Sequence, residues 1–147
     1  MCIRDRTRTG PPEKEIFVMD YDGHNQYQLT TIRSLALTPD WSPDGERIAY
    51  TSWARNKADV AVISRIDRRA FPFSEFVGTT TTPSWSPGGS RLAFSSSMGA
   101  VTGRPDPEIY ISDSGGQNVR RLTTSRGVDT SPAWNPGTGE HLSLIHI

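Results

Sequence analysis

The sequence contains very little cysteine, because Cys2 is the only one among 147 residues. A single cysteine excludes an internal disulfide. The net charge is zero, since 16 lysines and arginines are balanced by 16 aspartates and glutamates. A balanced chain offers no overall electrostatic attraction to nucleic acid or to an anionic membrane. Composition therefore points away from a disulfide scaffold and from a nucleic-acid-binding protein.

Long apolar runs and helical periodicity are also absent. No apolar stretch is long enough to cross a bilayer as a helix, and apolar residues do not recur with the period of a helix. Catalytic signatures are missing too: the sequence has no Gly-x-Ser-x-Gly, no His-Glu-x-x-His and no Gly-Lys-Ser/Thr. These absences predict a protein that is not an enzyme and that binds no cofactor and no metal.

Both ends of the chain look foreign. Residues 1–6 (MCIRDR) are what the nucleotides ATG TGT ATA AGA GAC AG encode, and residues 142–147 (LSLIHI) are what the reverse complement encodes. This sequence resembles the mosaic-end adapter of transposase-based sequencing libraries. We therefore expect 1–6 and 142–147 to be adapter-derived and 7–141 to be a piece of a longer reading frame.

A tryptophan-centred motif occurs three times. Residues 38–45 (TPDWSPDG) recur as 82–89 (TPSWSPGG) and, shortened, as 131–136 (SPAWNP). The three tryptophans are 44 and 49 residues apart, and a proline precedes each by two positions: Trp41, Trp85, Trp134, Pro39, Pro83 and Pro132. A repeat of this length is typical of propeller blades.

Each repeat contains short segments rich in β-branched and aromatic residues, separated by Asp-Gly, Gly-Gly and proline turns. This pattern predicts an all-β fold, a β-propeller fragment of about three four-stranded blades. Residues 15–30 would supply the outer strands of one blade, 38–77 and 82–123 two whole blades, and 131–136 the inner strand of the next. Adjacent blades would bury each other's faces, with the tryptophans between them.

If the Pro-x-Trp strand is innermost, two groups of loops meet at one end of the blades. One group enters the inner strands, and the other joins second and third strands, as at 53–58 and 97–107. Longer loops on a rigid scaffold usually carry binding. Thr79 to Thr82, together with Arg126, Asp129 and Thr130, could form a polar contact surface there or simply lead into strands.

Other polar and aromatic residues have simpler interpretations. Asp20, Asp22 and Asp113 end strands and begin turns, so we expect turn roles rather than calcium binding. His24 lies in a turn with no second histidine or cysteine beside it, which argues against a metal. Trp53 lies outside the repeat and is either an exposed anchor for a partner or a cover for the blade edge.

Three segments resemble the propeller domain of the TolB family: 16–26 (IFVMDYDGHNQ), 39–45 (PDWSPDG) and 127–136 (GVDTSPAWNP). The Trp-Ser-Pro-Asp-Gly motif is shared with many extracytoplasmic propellers, whereas Asp-Tyr-Asp-Gly-x-Asn-Gln is more specific. The resemblance covers nearly all of 13–141. It implies a six-bladed propeller in the periplasm, in the Tol–Pal envelope system, with a small α/β domain ahead of it.

The resemblance also implies partners and a role. The propeller would bind Pal, the peptidoglycan-associated outer-membrane lipoprotein, and the N-terminal domain would contact TolA, supporting outer-membrane integrity and constriction during cell division. The Pal face would map onto Thr38, Thr79, Thr80, Thr81, Thr82, Asp129, Thr130 and Ser131. Two departures stand out: the 78–82 loop lacks the charged or histidine residues of some relatives, and Gly88 replaces the usual aspartate of its turn.

Two other classes of propeller remain open. The gating propeller of a prolyl-oligopeptidase-like serine peptidase uses similar repeats and would continue into an α/β-hydrolase domain. A Gly-x-Ser-x-Gly motif downstream would identify that enzyme. A surface or sensor propeller fused to other modules would instead lack a secretory signal followed by a small α/β domain.

Overall fold

The computed structural model describes residues 2–6, 13–54, 56–73, 76–99, 106–137 and 141–146. Of the long loop predicted at 97–107, residues 100–105 lie outside these ranges. The described part contains thirteen β-strands and no helix, so none of its segments is a helix that could cross a membrane.

In chain order the strands are β1 (Cys2–Arg6), β2 (Glu13–Val18), β3 (Tyr27–Gln28), β4 (Ala36–Trp41), β5 (Arg47–Ser52), β6 (Asp59–Ser64), β7 (Ala70–Pro72), β8 (Thr80–Trp85), β9 (Arg91–Ser96), β10 (Glu108–Asp113), β11 (Arg120–Arg121), β12 (Asp129–Trp134) and β13 (Leu142–His146). They form sheets in the orders β1-β2-β3, β4-β5-β6-β7, β8-β9-β10-β11 and β12-β13. Each named pairing within these sheets is antiparallel. The all-β prediction of four-stranded antiparallel blades is thereby confirmed.

The innermost strand of each blade begins two residues earlier than the motif predicts. β4, β8 and β12 start at Ala36, Thr80 and Asp129. These residues already pair with the neighbouring strand, which is β5, β9 or β13. The threonine run at 79–82 is therefore mostly strand rather than loop.

β1 and β13 occupy the position that the second strand, β5 or β9, takes in the complete blades. They pair with β2 and β12 through backbone hydrogen bonds. An unpaired sheet edge accepts almost any extended segment, because backbone pairing needs no particular side chains. The prediction that residues 1–6 and 142–147 are adapter-derived stays a prediction.

A bulge interrupts all three innermost strands just before the proline. The register shifts between Leu37 and Asp40 in β4 and at the equivalent places in β8 and β12. The residue in the bulge has a left-handed backbone, with φ of 47° at Thr38, 48° at Thr82 and 53° at Ser131. Such a φ is uncommon for any side chain and strained for a β-branched one. The bulge therefore recurs as a feature of the repeat.

The apolar core lies between the sheets, in two clusters on opposite faces of the β4–β7 blade. One packs against β2 and β3 and contains Ile16, Leu29, Ala36, Ile48, Tyr50, Ala61 and Ile63. The other packs against the β8–β11 blade and contains Ala49, Val60, Val62, Phe73, Trp85, Leu92, Phe94 and Tyr110. Successive residues of β5 and β6 thus alternate between the clusters, as the pleat of a strand requires.

Hydrogen bonds also join consecutive blades along the innermost strands. The Trp85 N–H donates to Asp40 Oδ2 at 2.6 Å, and the indole N–H of Trp134 donates to the Ser84 carbonyl at 3.0 Å. The Ser95 hydroxyl donates to the Asp129 carbonyl at 2.8 Å. These bonds cross from one sheet to the next, so they fix the innermost strands side by side.

Gly116 lies where two neighbouring blades approach each other closely. Its φ is +78°, and a Cβ built there would lie 2.1 Å from the Phe73 carbonyl oxygen of the preceding blade. Gly116→Ala in the complete propeller is expected to lower the unfolding free energy by about 2–3 kcal/mol through clash and backbone strain. Urea unfolding measures the change.

Gly88→Ala is the matched control, because a Cβ at Gly88 meets nothing within 4 Å. We expect its unfolding midpoint to stay close to that of the parent. Equal midpoints for Gly116→Ala and the parent would contradict the close approach of the two blades.

Candidate functional site

The two predicted groups of loops meet at one end of the sheets, here called the upper face: the ends at which β4, β8 and β12 begin. Trp53 N–H donates to the Leu35 carbonyl at 3.0 Å, and Ser97 N–H donates to the Thr79 carbonyl at 3.1 Å. Between blades, Thr80 N–H donates to the Ala58 carbonyl at 2.8 Å. Backbone hydrogen bonds therefore hold the upper face together.

The predicted contact residues of the upper face differ in exposure. Thr38, Thr79 and Ser131 are exposed, while Thr81, Thr82 and Thr130 are half-buried. Thr80 and Asp129 are each only 1% exposed. Their side chains do not reach the surface, so they can shape the face but not touch a partner in this conformation.

A hydroxyl on β5, that of Thr51, links two of the predicted residues across blades. The Thr51 and Thr38 hydroxyl oxygens are 2.7 Å apart, and Thr82 N–H donates to the Thr51 hydroxyl at 3.1 Å. Sequence reasoning missed Thr51. A signal existed, because Ser95 holds the same place in the next repeat and also uses its hydroxyl to bind the following innermost strand.

Some hydroxyl groups near the upper face can form further hydrogen bonds. The Thr82 hydroxyl is buried and has no hydrogen-bond partner among the described residues. The exposed Thr79 hydroxyl lies 3.1 Å from the Ser97 hydroxyl, so each can also bond to an incoming group. Hydroxyls that both donate and accept suit contact with the backbone of a partner.

Asp129 is held by side chains from two directions. The Ser125 hydroxyl donates to Oδ2 at 2.7 Å, and His146 Nδ1 lies 2.5 Å from Oδ1. Burial by itself would raise the pKa of Asp129, but hydrogen bonds from His146, Ser125 and Thr123 outweigh it and lower the pKa. The carboxylate therefore stays ionised and serves as an acceptor.

This Ser125, Asp129 and His146 group does not form a nucleophilic triad. The serine hydroxyl donates to the carboxylate, whereas an activated serine donates to a histidine nitrogen. His146 also lies in the segment predicted to be adapter-derived. The contacts therefore do not place a histidine base on this serine.

The aspartates weighed as calcium ligands are engaged in turns. Asn25 Nδ2 donates to Asp20 Oδ2 at 2.6 Å, and Asn118 Nδ2 donates to Asp113 Oδ2 at 2.9 Å. A backbone hydrogen bond from Gln117 is the largest cause that lowers the pKa of Asp113. Within the described ranges, no three His, Cys, Asp or Glu side chains cluster as metal ligands.

Exposed apolar side chains flank the threonines of the upper face. Trp53 is 39% exposed and Val77 is 86% exposed. The Trp53 carbonyl accepts a hydrogen bond from the Ser34 hydroxyl at 3.1 Å, which fixes its backbone. Trp53 thus partly covers the blade and partly faces outward.

A cavity of about 170 Å³ lies beside Tyr50, between Ile32 and the outer strands of the β4–β7 blade. Lys57 Nζ at its rim lies 3.1 Å from Asp59 Oδ1 and donates to the Phe76 carbonyl at 2.6 Å. In the next blade Phe76 takes the place of Ile32 and stacks on Phe94, with centroids 5.6 Å apart. The cavity is thus lined by isoleucine at a position where the next repeat has phenylalanine.

The buried side chain of Tyr50 should make the stability of the protein depend on pH in the alkaline range. Burial raises its pKa to about 12, and the charge of Glu15 adds to the effect. Between pH 10 and 12 the unfolded tyrosine releases its proton while the folded one keeps it. Stability should therefore fall by about 2–3 kcal/mol as the pH rises through this window.

Tyr50→Phe should remove that loss, and Phe94 at the equivalent position shows that phenylalanine fits such a site. The measurement is the unfolding free energy of parent and variant across the alkaline range, and the difference between them isolates Tyr50. Parallel profiles would contradict the prediction.

Comparison with known proteins matches the repeats and the fold. The family model described as the TolB beta propeller domain matches residues 3–143. A protein TolB homolog of Chlorobium chlorochromatii is 37% identical over 126 residues, which are 84% of this chain and 26% of the relative. The Tol-Pal system protein TolB of Bordetella pertussis is 42% identical over 123 residues, 83% of this chain and 27% of the relative. The chain thus spans about a quarter of these relatives.

Solved structures share the fold. TolB from Acinetobacter baumannii superimposes with a TM-score of 0.81 at 22% identity, over 99% of this chain and 34% of that one. An acylaminoacyl peptidase of Pyrococcus horikoshii has a TM-score of 0.59 at 16% identity, over 84% of this chain and 22% of the peptidase; this likeness concerns the fold alone. By its repeats, its blades and the family model, the chain belongs to the TolB β-propeller domain family.

Proposed function

We propose that this chain is part of a periplasmic propeller of the Tol–Pal system and that its upper face binds Pal. The relatives named for that system support the system assignment. TolA would be contacted by a domain ahead of the propeller, not by the blades. Binding to Pal would connect the propeller to the outer membrane, in support of membrane integrity and of constriction during division.

The backbone conformation of the innermost strands is the main support for a binding site on the upper face. Three consecutive innermost strands repeat a left-handed residue bearing a hydroxyl, at Thr38, Thr82 and Ser131. Backbone strain of this kind persists only where the surrounding structure enforces it, and it is concentrated at binding sites. The Thr51 hydroxyl holds Thr38 and Thr82 in place across two blades, so a partner would meet a preorganised surface.

The face is suited to a protein partner rather than to catalysis. It offers exposed hydroxyls and the exposed apolar side chains of Trp53 and Val77, and among the described residues Ser125 donates to a carboxylate rather than to a histidine. Interfaces commonly combine apolar anchors with polar groups at the rim. We therefore propose a non-catalytic binding role.

The peptidase gate remains the second candidate, because an acylaminoacyl peptidase shares the propeller fold. The complete reading frame distinguishes the two. A frame that continues into a hydrolase domain with Gly-x-Ser-x-Gly would contradict the Tol–Pal assignment.

The proposal is tested by calorimetric titration of Pal into the complete protein. Thr79→Ala, Thr81→Ala and Thr130→Ala remove side chains that have accessible surface on the upper face. Combined, they are expected to weaken binding about tenfold or more, since each hydroxyl can contribute about 0.5–1.5 kcal/mol. Thr80 is left unchanged because it is buried.

Ser90→Ala and Gln117→Ala are the matched controls, because both residues are exposed in turns at the opposite end of the blades. The controls should bind Pal like the parent. An upper-face variant with unchanged affinity and an unchanged melting temperature would refute this binding face.

A further inference from the structure

The turn between β6 and β7, residues 64–69, differs from the equivalent turns of its neighbours. The turns at 20–25 and 113–118 are each closed by an aspartate that accepts from an asparagine side chain. The sequence at 64–69 is SRIDRR, which has no asparagine. The two neighbouring turns, DYDGHN and DSGGQN, form without arginine or isoleucine, so a turn at this place in the blade does not require these residue types.

Three of the six residues in this turn are arginines, and they are exposed: Arg65, Arg68 and Arg69. Among the described residues, none of these guanidinium groups lies within ion-pair distance of a carboxylate. The one acidic residue, Asp67, accepts a hydrogen bond from the Arg69 backbone N–H at 3.1 Å. The turn therefore carries three positive charges and one negative charge, an excess of positive charge in a chain whose net charge is zero.

Two of the arginines are held against the protein surface. Arg65 Nε donates to the Gly45 carbonyl at 3.2 Å, and the Arg68 guanidinium lies 5.3 Å from the ring centroid of Tyr27 in the preceding blade. Both side chains are exposed, and among the described residues no hydrogen bond involves their outer nitrogens. A planar guanidinium held in place is preorganised for paired hydrogen bonds to a carboxylate.

Apolar side chains are exposed beside these charges. Ile66, between Arg65 and Asp67, is 72% exposed, and Phe71 on β7 is 57% exposed. Exposed apolar groups next to arginine are typical of protein contact surfaces. A partner that binds here would therefore carry both acidic and aliphatic side chains.

Addition of a strand to the open edge of β7 is disfavoured. The Arg69 carbonyl and the Phe73 N–H bond inward to β6, so Ala70 and Pro72 face the open side. Pro72 has no N–H to offer, and a proline at an edge blocks further pairing. Recognition here would be by side chains.

We propose that the turn at 64–69, together with Phe71, is a second interaction surface that binds an acidic, aliphatic-rich segment of another protein. It lies at the end of the blades opposite the upper face, so it is separate from the proposed Pal site. Contacts with Gly45 and Tyr27 hold two of the guanidinium groups in fixed positions. Fixed positions favour carboxylates that are themselves held in a defined geometry, whereas lipid headgroups in a fluid membrane do not require them.

The test uses the complete protein and a short fluorescent peptide of alternating glutamate and leucine, with binding followed by fluorescence anisotropy. Arg68→Gln combined with Arg69→Gln should weaken binding about fivefold, as expected for exposed charge pairs. Ile66→Ala should weaken it about threefold through lost apolar contact. Binding should also weaken as salt is raised.

Arg126→Gln is the matched control, because it removes one exposed arginine at the upper face and should leave peptide affinity unchanged. Melting temperatures identify any variant that misfolds. Arg69→Gln alone is a second variant that removes one charge and keeps the contact of Arg68 with Tyr27. Retained Pal affinity in the Arg68 and Arg69 variant would support a separate surface.

Three results would overturn the proposal. The first is equal binding of a peptide of alternating glutamine and leucine. The second is loss of Pal affinity in the Arg68 and Arg69 variant, which would make the turn part of the Pal site. The third is arginine-dependent binding to phosphatidylglycerol-containing phosphatidylcholine vesicles without binding to the acidic peptide, which would make the turn a lipid site.

Discussion

A blade of this protein has two apolar faces and cannot cover either of them alone. Along β5, Ile48 and Tyr50 point to one neighbour while Ala49 points to the other. The fold is therefore stabilised by stacking of sheets rather than by any single sheet, as in other repeat architectures. The close approach of Gly116 to the Phe73 carbonyl shows how tightly two neighbouring sheets are stacked.

The same stacking builds the upper face. Trp85 N–H bonds to Asp40 of the preceding blade, and Thr82 N–H bonds to Thr51. Asp40 is partly buried, and burial raises its pKa although hydrogen bonds from the Trp85 and Trp41 backbone oppose the effect. Because each innermost strand is positioned by its predecessor, the hydroxyls of the face are arranged by contacts between blades. A binding surface of this kind requires neighbouring blades to be in place.

Much of this was accessible from the sequence. The spacing of the tryptophans predicted the blades, and the local chemistry of aspartate and asparagine predicted the turn roles of Asp20 and Asp113. The burial of Thr80 and Asp129 was not predictable, because a run of threonines has no inner or outer side until its pairing register is known. The left-handed bulge residues depend on strand pairing, which leaves no local signal in the sequence. The role of Thr51 was signalled only by the hydroxyl that Ser95 carries at the same place in the next repeat.

We propose that Pal binds to the upper face and not to another surface of the blades. The most direct measurement is amide hydrogen exchange of the complete protein with and without Pal, followed by mass spectrometry. We expect slower exchange on binding in peptides that contain residues 34–38, 78–82 and 125–131, with no change at 64–69. Protection confined to the turns at the opposite end, with unchanged exchange at 78–82, would contradict it.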